Sequence, residues 1–503
     1  MKYGSILPVL LLVLCVGCSF DLDAISAPAS DGSVVDAALT DSGPPDGPTA
    51  DAGNADLPLT LDSPGPEAAV ADMPVVDMAT VDMAASDLAQ PDMAKTDMAK
   101  TDMAKTDMAK TDMAKSDQTM PDLLVPDAGP PVKDPTGIAI SAKAGNEQQV
   151  AVASHGAGFM VIWSSGGDIF GSTMANTGGG SISLPFSISS ATGTQAYPAL
   201  AFAGADYLVV WEHPNPSNAR IMASLVTTTG GAKAPAPGLP ISDGKANQVQ
   251  PAVACSAAQC LVVWQDGRNI GSATGYDIYG RIYDLSKGLQ GQNDIAITNA
   301  TDGQQIPDVA FDGQDFLVTW MDGRATKDDA YGARVSSAGV VLDTAGMKFS
   351  RSATAVTRRY TNVACDGAGG CLVVWMAGSS STTSKIQIDG VITQSSAGVI
   401  KVTSTSDIVI SNPAINSWFP DVAFSGSDYL VVWQYGDSPS ANIAGARLSK
   451  AGTVTTTPQL DISLASDFQT HPAVARGTGQ FLVTWDDKRN GTDLDVYGAR
   501  VGP

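Results

Sequence analysis

Phe316-Leu317-Val318-Thr319-Trp320-Met321-Asp322-Gly323-Arg324 is one of seven variations on a theme. The theme's apolar half returns at Met160 to Trp163, Tyr207 to Trp211, Cys260 to Trp264, Cys371 to Trp375, Tyr429 to Trp433 and Phe481 to Trp485. Successive tryptophans are 48, 53, 56, 55, 58 and 52 residues apart. A period of roughly 40–60 residues with several short strands per unit is the signature of a propeller. The theme itself is apolar on successive residues, so it reads as a strand covered on both faces, as in stacked sheets.

Working outward, each copy follows one grammar. A first strand such as Pro307 to Phe311 leads through an Asp312-Gly313 turn into the tryptophan strand. A loop follows, then a third strand such as Ala330 to Val335, a Ser-Ala-Gly turn, and a weaker fourth strand such as Met347 to Ser350. Valine-, phenylalanine- and tryptophan-rich strands punctuated by Gly/Asp turns predict an antiparallel meander. One place in the first strand is alanine in all seven copies: Ala153, Ala201, Ala254, Ala310, Ala364, Ala423 and Ala475. A methyl group fits where neighbouring blades crowd the axis of a ring, and a larger side chain would strain the packing.

The ring closes with the chain's own ends. Ile188, Ile241, Ile297, Ile410 and Ile462 sit in fourth strands, each 23 residues before the next tryptophan, and Ile140 lies 23 residues before Trp163 with no complete blade ahead of it. The last copy stops 18 residues after Trp485 and lacks a fourth strand. Gly137 to Ser141 is therefore expected to complete the final blade, because closure removes two open sheet edges. The expected fold is an all-β, seven-bladed propeller over 136–503; six or eight blades would leave a copy unused or missing.

The preceding residues have a different character. Met1 to Gly17 carries Lys2, an apolar run from Ile6 to Val16 and a small residue before Cys18. This is the pattern of a cleaved export signal, well short of the roughly 20 residues of a membrane helix. Cys15-Val16-Gly17-Cys18 resembles the lipobox of bacterial lipoproteins, with Cys15 where that family usually has Leu. The resemblance implies that Cys18 is lipidated and becomes the N-terminus, and Ser19 implies the outer membrane, facing the periplasm or the surface.

Residues 18–135 read as a tether. From Ser19 to Pro135 there is no Trp or Tyr, and 23 acids oppose 6 lysines, −17 of the chain's −23. Such a composition cannot offset chain entropy, so disorder is expected. Self-repulsion should extend it beyond the roughly 60 Å of a flexible coil of that length. The Asp-Met/Leu-Ala core from Asp72 to Lys115 resembles the pentapeptide-repeat β-helix family. Its central position is mostly Met rather than Leu or Phe, and its units are too few for a stable stack. The acidity excludes nucleic acid as a partner, which needs a basic surface.

Cys255 with Cys260 and Cys365 with Cys371 flank first-hairpin turns. Facing residues there lie within disulfide reach, and exported proteins meet an oxidising compartment. Two disulfides are expected, and no metal site from these four.

Chemistry is sparser. Trp-x-Asp-x-Arg places Asp266 with Arg268, Asp322 with Arg324 and Asp487 with Arg489, each followed by a Tyr-Gly and an arginine, directly at Arg281 and one residue later at Arg334 and Arg500. Such pairs could bind a sugar acid; recurring in three blades, they read as ion pairs that hold strands in register. Asp487, Asn490, Asp493 and Asp495 are spaced somewhat like a calcium loop, with its glycine and distal acid out of place. His155, His213 and His471 form no ligand or triad spacing. The repeat over 136–503 resembles those of bacterial surface propellers of unassigned activity, a likeness at the level of fold.

What does not repeat points to a site. One residue before the usual proline, the copies carry Gln149, Tyr197, Gln250, Ile306, Tyr360, Phe419 and His471, with Trp418, Arg358 and Arg359 nearby. Partly aromatic, divergent residues at equivalent positions are what a binding rim would look like, though they could equally plug gaps between blades. The expectation is a lipid-anchored, monomeric, non-catalytic module that binds a glycan or protein ligand. A carbohydrate-active enzyme, either a sialidase-like hydrolase or a lyase, is the alternative. It would need two placed carboxylates, for which Glu212, Asp266, Asp322 and Asp487 are candidates. A purely structural spacer is the third reading.

Overall fold

The computed structural model describes residues 132–502, apart from 177–179, 215–217, 235, 272–274, 292, 354–355, 379–384, 397 and 458. The expected export signal, Cys18 and the part of the expected tether up to residue 131 lie outside the described residues.

Seven antiparallel sheets follow one another along the chain, six with their strands in sequence order and the seventh completed by the first strand of the fold. Their first strands are Glu147–Ser154, Ala196–Ala203, Gln248–Cys255, Gln304–Phe311, Thr357–Cys365, Ser417–Phe424 and Gln469–Gly477. Each packs against the first strands of both neighbours, and the seventh packs against the first. The molecule is a seven-bladed propeller. Blades 3 and 5 divide their outer position between two short strands, so these sheets have five members.

The seventh blade is closed as the repeat requires. Strand β1, Ile138–Ser141, pairs with the last strand, Asp495–Val501, matching Ile138 to Gly498 and Ala139 to Tyr497. The glycine at this place in third strands has a steric reason. A Cβ on Gly498 would lie 3.0 Å from Ile140 Cδ1, as one on Gly280 would from Ile297 and one on Gly445 from Ile462. Ile140 thus fills the niche that fourth-strand isoleucines fill elsewhere. The fold also begins four residues before the expected boundary. Val132 bridges to Val501, and Asp134 accepts from Arg500 Nε and Nη2 at 2.8 Å each.

The core is not one body but seven wedges, one between each pair of adjacent blades. Every repeat tryptophan is buried in the wedge facing the preceding blade. The conserved alanines face the other way, against Val or Leu of the next first strand, as Ala364 meets Val422 and Ala475 meets Val150. Burying a large apolar side chain contributes about 1.5–3 kcal/mol, so each blade depends on its neighbours for stability. Cys255–Cys260 and Cys365–Cys371 are disulfides across first hairpins, with Cα atoms 4.0 Å apart in both. Aromatic pairs fill the same place elsewhere, Phe202 with Tyr207 at 5.4 Å and Phe311 with Phe316 at 5.1 Å between ring centres.

Candidate functional site at the channel mouth

Each first strand is broken by a bulge at one place. The register slips between Gln148 and Ala151, between Arg359 and Asn362, and at the matching point of the other five blades. The bulged residue is left-handed every time: Gln149, Tyr197, Gln250, Ile306, Tyr360, Phe419 and His471 have φ between 47° and 60°. None is glycine, and a β-branched residue such as Ile306 is strongly disfavoured there. Strained bulges persist only when their surroundings over-determine them, and they gather at functional sites.

The surroundings are a clasp between blades. In six of the seven blades the residue after the tryptophan reaches the bulge region of the next blade, directly or through one side chain. Glu212 accepts from Gln250 N at 2.5 Å, Gln265 from Ile306 N at 3.3 Å, and Asp486 from Gln149 N at 3.0 Å and Val150 N at 3.3 Å. Met376 Sδ lies 3.3 Å from Phe419 N, and Gln434 accepts from Thr470 Oγ1 at 2.5 Å. In blade 1 the acceptor is indirect: Ser164 Oγ donates to Gln149 Oε1 at 2.9 Å, and that oxygen accepts from Tyr197 N at 2.8 Å. In blades 3 and 7 the x of Trp-x-Asp is therefore a blade-to-blade connector, a role the sequence reading missed.

The bulges sit near the axis at the same end of the ring as the Asp-x-Arg loops, because Gln248 pairs with Asp266 at that end. Tyr360 and Phe419 meet edge to face at 5.0 Å, and Phe419 stacks on His471 at 4.1 Å, joining blades 5, 6 and 7 into an aromatic arc. Trp418 extends the arc outward, its Nε1 donating to Asp437 at 3.1 Å. Tyr197, in blade 2, is 44% exposed. Its phenol is raised by burial and then by Glu212 and Tyr360. The arginines divide: Arg359 is bound to Asp328 at 2.7 Å, while Arg358 is only 3% exposed and lies 3.6 Å from Asp329 and 3.5 Å from Asp407. Arg358 is thus inside the blade and not on the rim.

Two residues past each bulge the blades differ again. Four carry alanine, and blades 4, 5 and 6 carry Asp308, Asn362 and Asp421. All three face the next blade: Asp308 accepts from Val363 N at 2.8 Å, Asn362 donates to Pro420 O at 2.7 Å, and Asp421 accepts from Val474 N at 2.7 Å. Burial pushes Asp308 up to about 7 and Asp421 up to about 6, although both keep some surface open. Glu212 and Asp486 in the clasps are also pushed up to about 7 by burial. Asp308 and Asp421 escaped sequence reading, yet their signal was there: an acid where sister copies have alanine.

The recurrent loop forms a closed unit. Trp264, Trp320 and Trp485 donate from Nε1 to Asp266, Asp322 and Asp487 at 3.0, 2.7 and 2.7 Å. Arg268, Arg324 and Arg489 each clamp the same carboxylate through Nε and Nη2, and lie over Tyr279, Tyr331 and Tyr497 at 4.0, 4.4 and 3.8 Å. Burial alone would raise Asp266, but hydrogen bonds from Arg268 and Trp264 outweigh it and hold the carboxyl below its usual range. These aspartates have no free face for a substrate. Of the calcium candidates, Asn490 donates to Asp495 at 3.0 Å and Asp493 accepts from Gly145 N at 3.2 Å. Among the described residues no three His, Cys, Asp or Glu side chains are grouped to hold a metal ion.

A cleft of about 340 Å³ lies between blades 1 and 2, lined by Gly145, Gln148, Ser164, Gly166, Thr194 and Gln195 among others. It exists because blade 1 joins its second and third strands through Gly166 and Gly167 alone, where blade 3 uses ten residues, 267–276.

No family model matches the chain, and no curated protein matches it. Solved structures similar to it include polysaccharide lyase Uly1 (10% identity, 70% of this chain and 89% of that one, TM-score 0.46). An ulvan lyase of a new polysaccharide lyase family is also similar (10% identity, 74% and 94%, TM-score 0.45). So is a protein of unknown function from Dyadobacter fermentans (10% identity, 73% and 97%, TM-score 0.42).

Proposed function

We propose that the ring is a non-catalytic binding module that seats a glycan at the mouth of its channel. One observation carries this: Tyr360, Phe419 and His471 form a continuous stack on three adjacent blades, each held on left-handed backbone. Flat aromatic faces give contact area at low entropic cost and suit sugar rings. The recurrent aspartates are consumed by Trp–Asp–Arg units, which supports binding over hydrolysis. In this reading lipidated Cys18 anchors the chain at the outer membrane, and the acidic tether up to residue 131 holds the ring clear of it.

The test is retention of the full chain on a panel of glycans and envelope polymers, with cleavage products scored by mass spectrometry. Retention that Phe419→Ala and Tyr360→Ala abolish supports the module. Retention on proteins only, or on nothing, overturns it.

A second reading is favoured by Asp308 and Asp421, two acids pushed up to about 7 and about 6, in the wedges between blades 4 and 5 and between blades 6 and 7. A hydrolase needs one protonated and one ionised carboxyl. Products lost in Asp308→Asn or Asp421→Asn would establish it.

A further inference from the structure

Blade 1 leaves a gap in the rim of the ring. Its second and third strands are joined by Gly166 and Gly167 alone, at φ 61° and 91°, left-handed at both positions as the tightest hairpin turn requires. Blade 2 uses four residues at this place, 215–218. The other five use six to ten: 267–276, 323–328, 379–386, 436–441 and 488–494. These connections stand at the end of the ring that carries the bulges, because Gln148 pairs with Ser164 there as Gln248 pairs with Asp266. The rim is therefore lowest at two adjacent blades. The order of blades around the ring sets blade 2 opposite blades 5 and 6, where Tyr360 and Phe419 stand.

The cleft of about 340 Å³ fills that gap, walled by residues 144–146 and 148, 164–167 and 194–196. Asn146, Gln148, Ser165 and Thr194 give it amide and hydroxyl groups, and none of its lining residues is charged or aromatic. Gln148, Gly166 and Thr194 are exposed, so the cleft is open to solvent. Its inner end meets the channel mouth. Gln148 and Ala196 line it, and the next residues along the chain, Gln149 and Tyr197, are the left-handed bulges of blades 1 and 2. A shared hydrogen bond ties the two regions together: Gln149 Oε1 accepts from Ser164 Oγ in the cleft at 2.9 Å and from Tyr197 N at 2.8 Å.

We infer that the ligand of the mouth is an extended, uncharged glycan chain, which lies across the mouth from the aromatic arc, passes Tyr197 and leaves the ring through the gap at blade 1. This deepens the reading of the mouth as a glycan seat and rests on it. A charged chain would give up water in the cleft with no opposite charge to replace it, whereas sugar hydroxyls can pair with neutral amides and hydroxyls, which both donate and accept. The cleft has the size of a small-ligand pocket, and Tyr197, 44% exposed, stands between it and the arc. Sugars joined in one chain engage both regions as a single ligand, so affinity should grow with chain length.

The experiment is isothermal titration of the full chain with two-residue and six-residue members of four uncharged series: β-1,4-glucan, β-1,3-glucan, α-1,6-glucan and β-1,4-linked N-acetylglucosamine. Hexagalacturonate is the charged control. At least one six-residue chain should bind at least tenfold more tightly than its two-residue form, and hexagalacturonate no more tightly than the two-residue forms. Inserting six Gly/Ser residues between Gly166 and Gly167 raises the rim at blade 1 to the level of its sisters, at an exposed turn that tolerates added chain. The insertion should abolish the gain with length and leave the two-residue affinity unchanged, while Phe419→Ala weakens both lengths. If the insertion does not fold, Gln148→Leu combined with Thr194→Leu, both at exposed positions of the cleft, serves with the same loss expected. Equal affinity at both lengths, a gain that survives the variants, or tighter binding of hexagalacturonate would each overturn the inference and leave the mouth a glycan seat. Binding of no oligosaccharide at all would overturn both.

Discussion

Blade 4 and blade 2 bury the same tryptophan and set opposite charges beside it. In blade 4, Asp322 accepts from Trp320 and is clamped by Arg324, so that carboxylate is answered within the blade. In blade 2, His213 and Arg220 stand at the positions of Asp322 and Asp329, and the indole of Trp211 is unanswered. The comparison separates two uses of one repeat. Copies that carry the aspartate answer their tryptophan's N–H; in the other four that N–H has no acceptor among the described residues.

The sharpest way to break the comparison is Asp322→Ala. It strands a partly buried guanidinium and a buried indole N–H, and unpairing a buried ion pair costs about 3–5 kcal/mol, an upper bound here. His213→Ala removes no such pair and should cost well under half as much. Urea unfolding of the two variants checks this, and equal losses would show that blade 4 is no better satisfied than blade 2. Next is the channel mouth. Phe419 touches both Tyr360 and His471, so Phe419→Ala should weaken a bound glycan by about 2 kcal/mol, or roughly thirtyfold, the scale of an interfacial aromatic anchor. Trp418→Ala, at the edge of the arc, should cost less than a third of that in the same titration.

A smaller effect is expected from strain. Ile306 sits at φ 52°, where a β-branched residue is disfavoured and Asn is tolerated. Ile306→Asn should stabilise the ring by about 1 kcal/mol, read as a rise in unfolding midpoint. The smallest effect is in pH. Glu212, Asp308 and Asp486 at about 7 and Asp421 at about 6 bind protons more tightly folded than unfolded, where carboxyls titrate near 4. Stability should therefore fall as pH rises from 4 through 7 and level off above. Scanning calorimetry between pH 5 and 8 should show a melting point that declines by a few degrees. A rise across that window would mean these acids are ionised in the folded ring.

The architecture was legible because it is repeated: seven tryptophans, seven alanines and an unpaired isoleucine at Ile140 report packing demands that recur in every blade. The bulge ring was legible only as variation, since nothing in Tyr360 or Phe419 announces left-handed backbone. The clasps were not legible, because Glu212, Gln265 and Asp486 share no chemistry beyond an oxygen that can accept. Arg358 was misplaced for a related reason: it stands where Gln248 and Gln304 stand in their blades and points into the sheet, as they do. Asp308, Asn362, Asp421, His213 and Arg220 are exceptions to the repeat, and only alignment of the copies against one another brings them out.

The seventh blade joins β1 to strands more than 300 residues further along the chain. During synthesis the ring cannot shut until Asp495–Val501 has left the ribosome, so six blades must wait with one apolar flank uncovered. Once shut, any pull on the chain ahead of Val132 falls first on the Val132–Val501 bridge and the Asp134–Arg500 pair, and then on the few hydrogen bonds between β1 and the last strand. The weakest link under mechanical load is thus the seam at which the circle was completed, and force applied there would open the ring without first unravelling a blade.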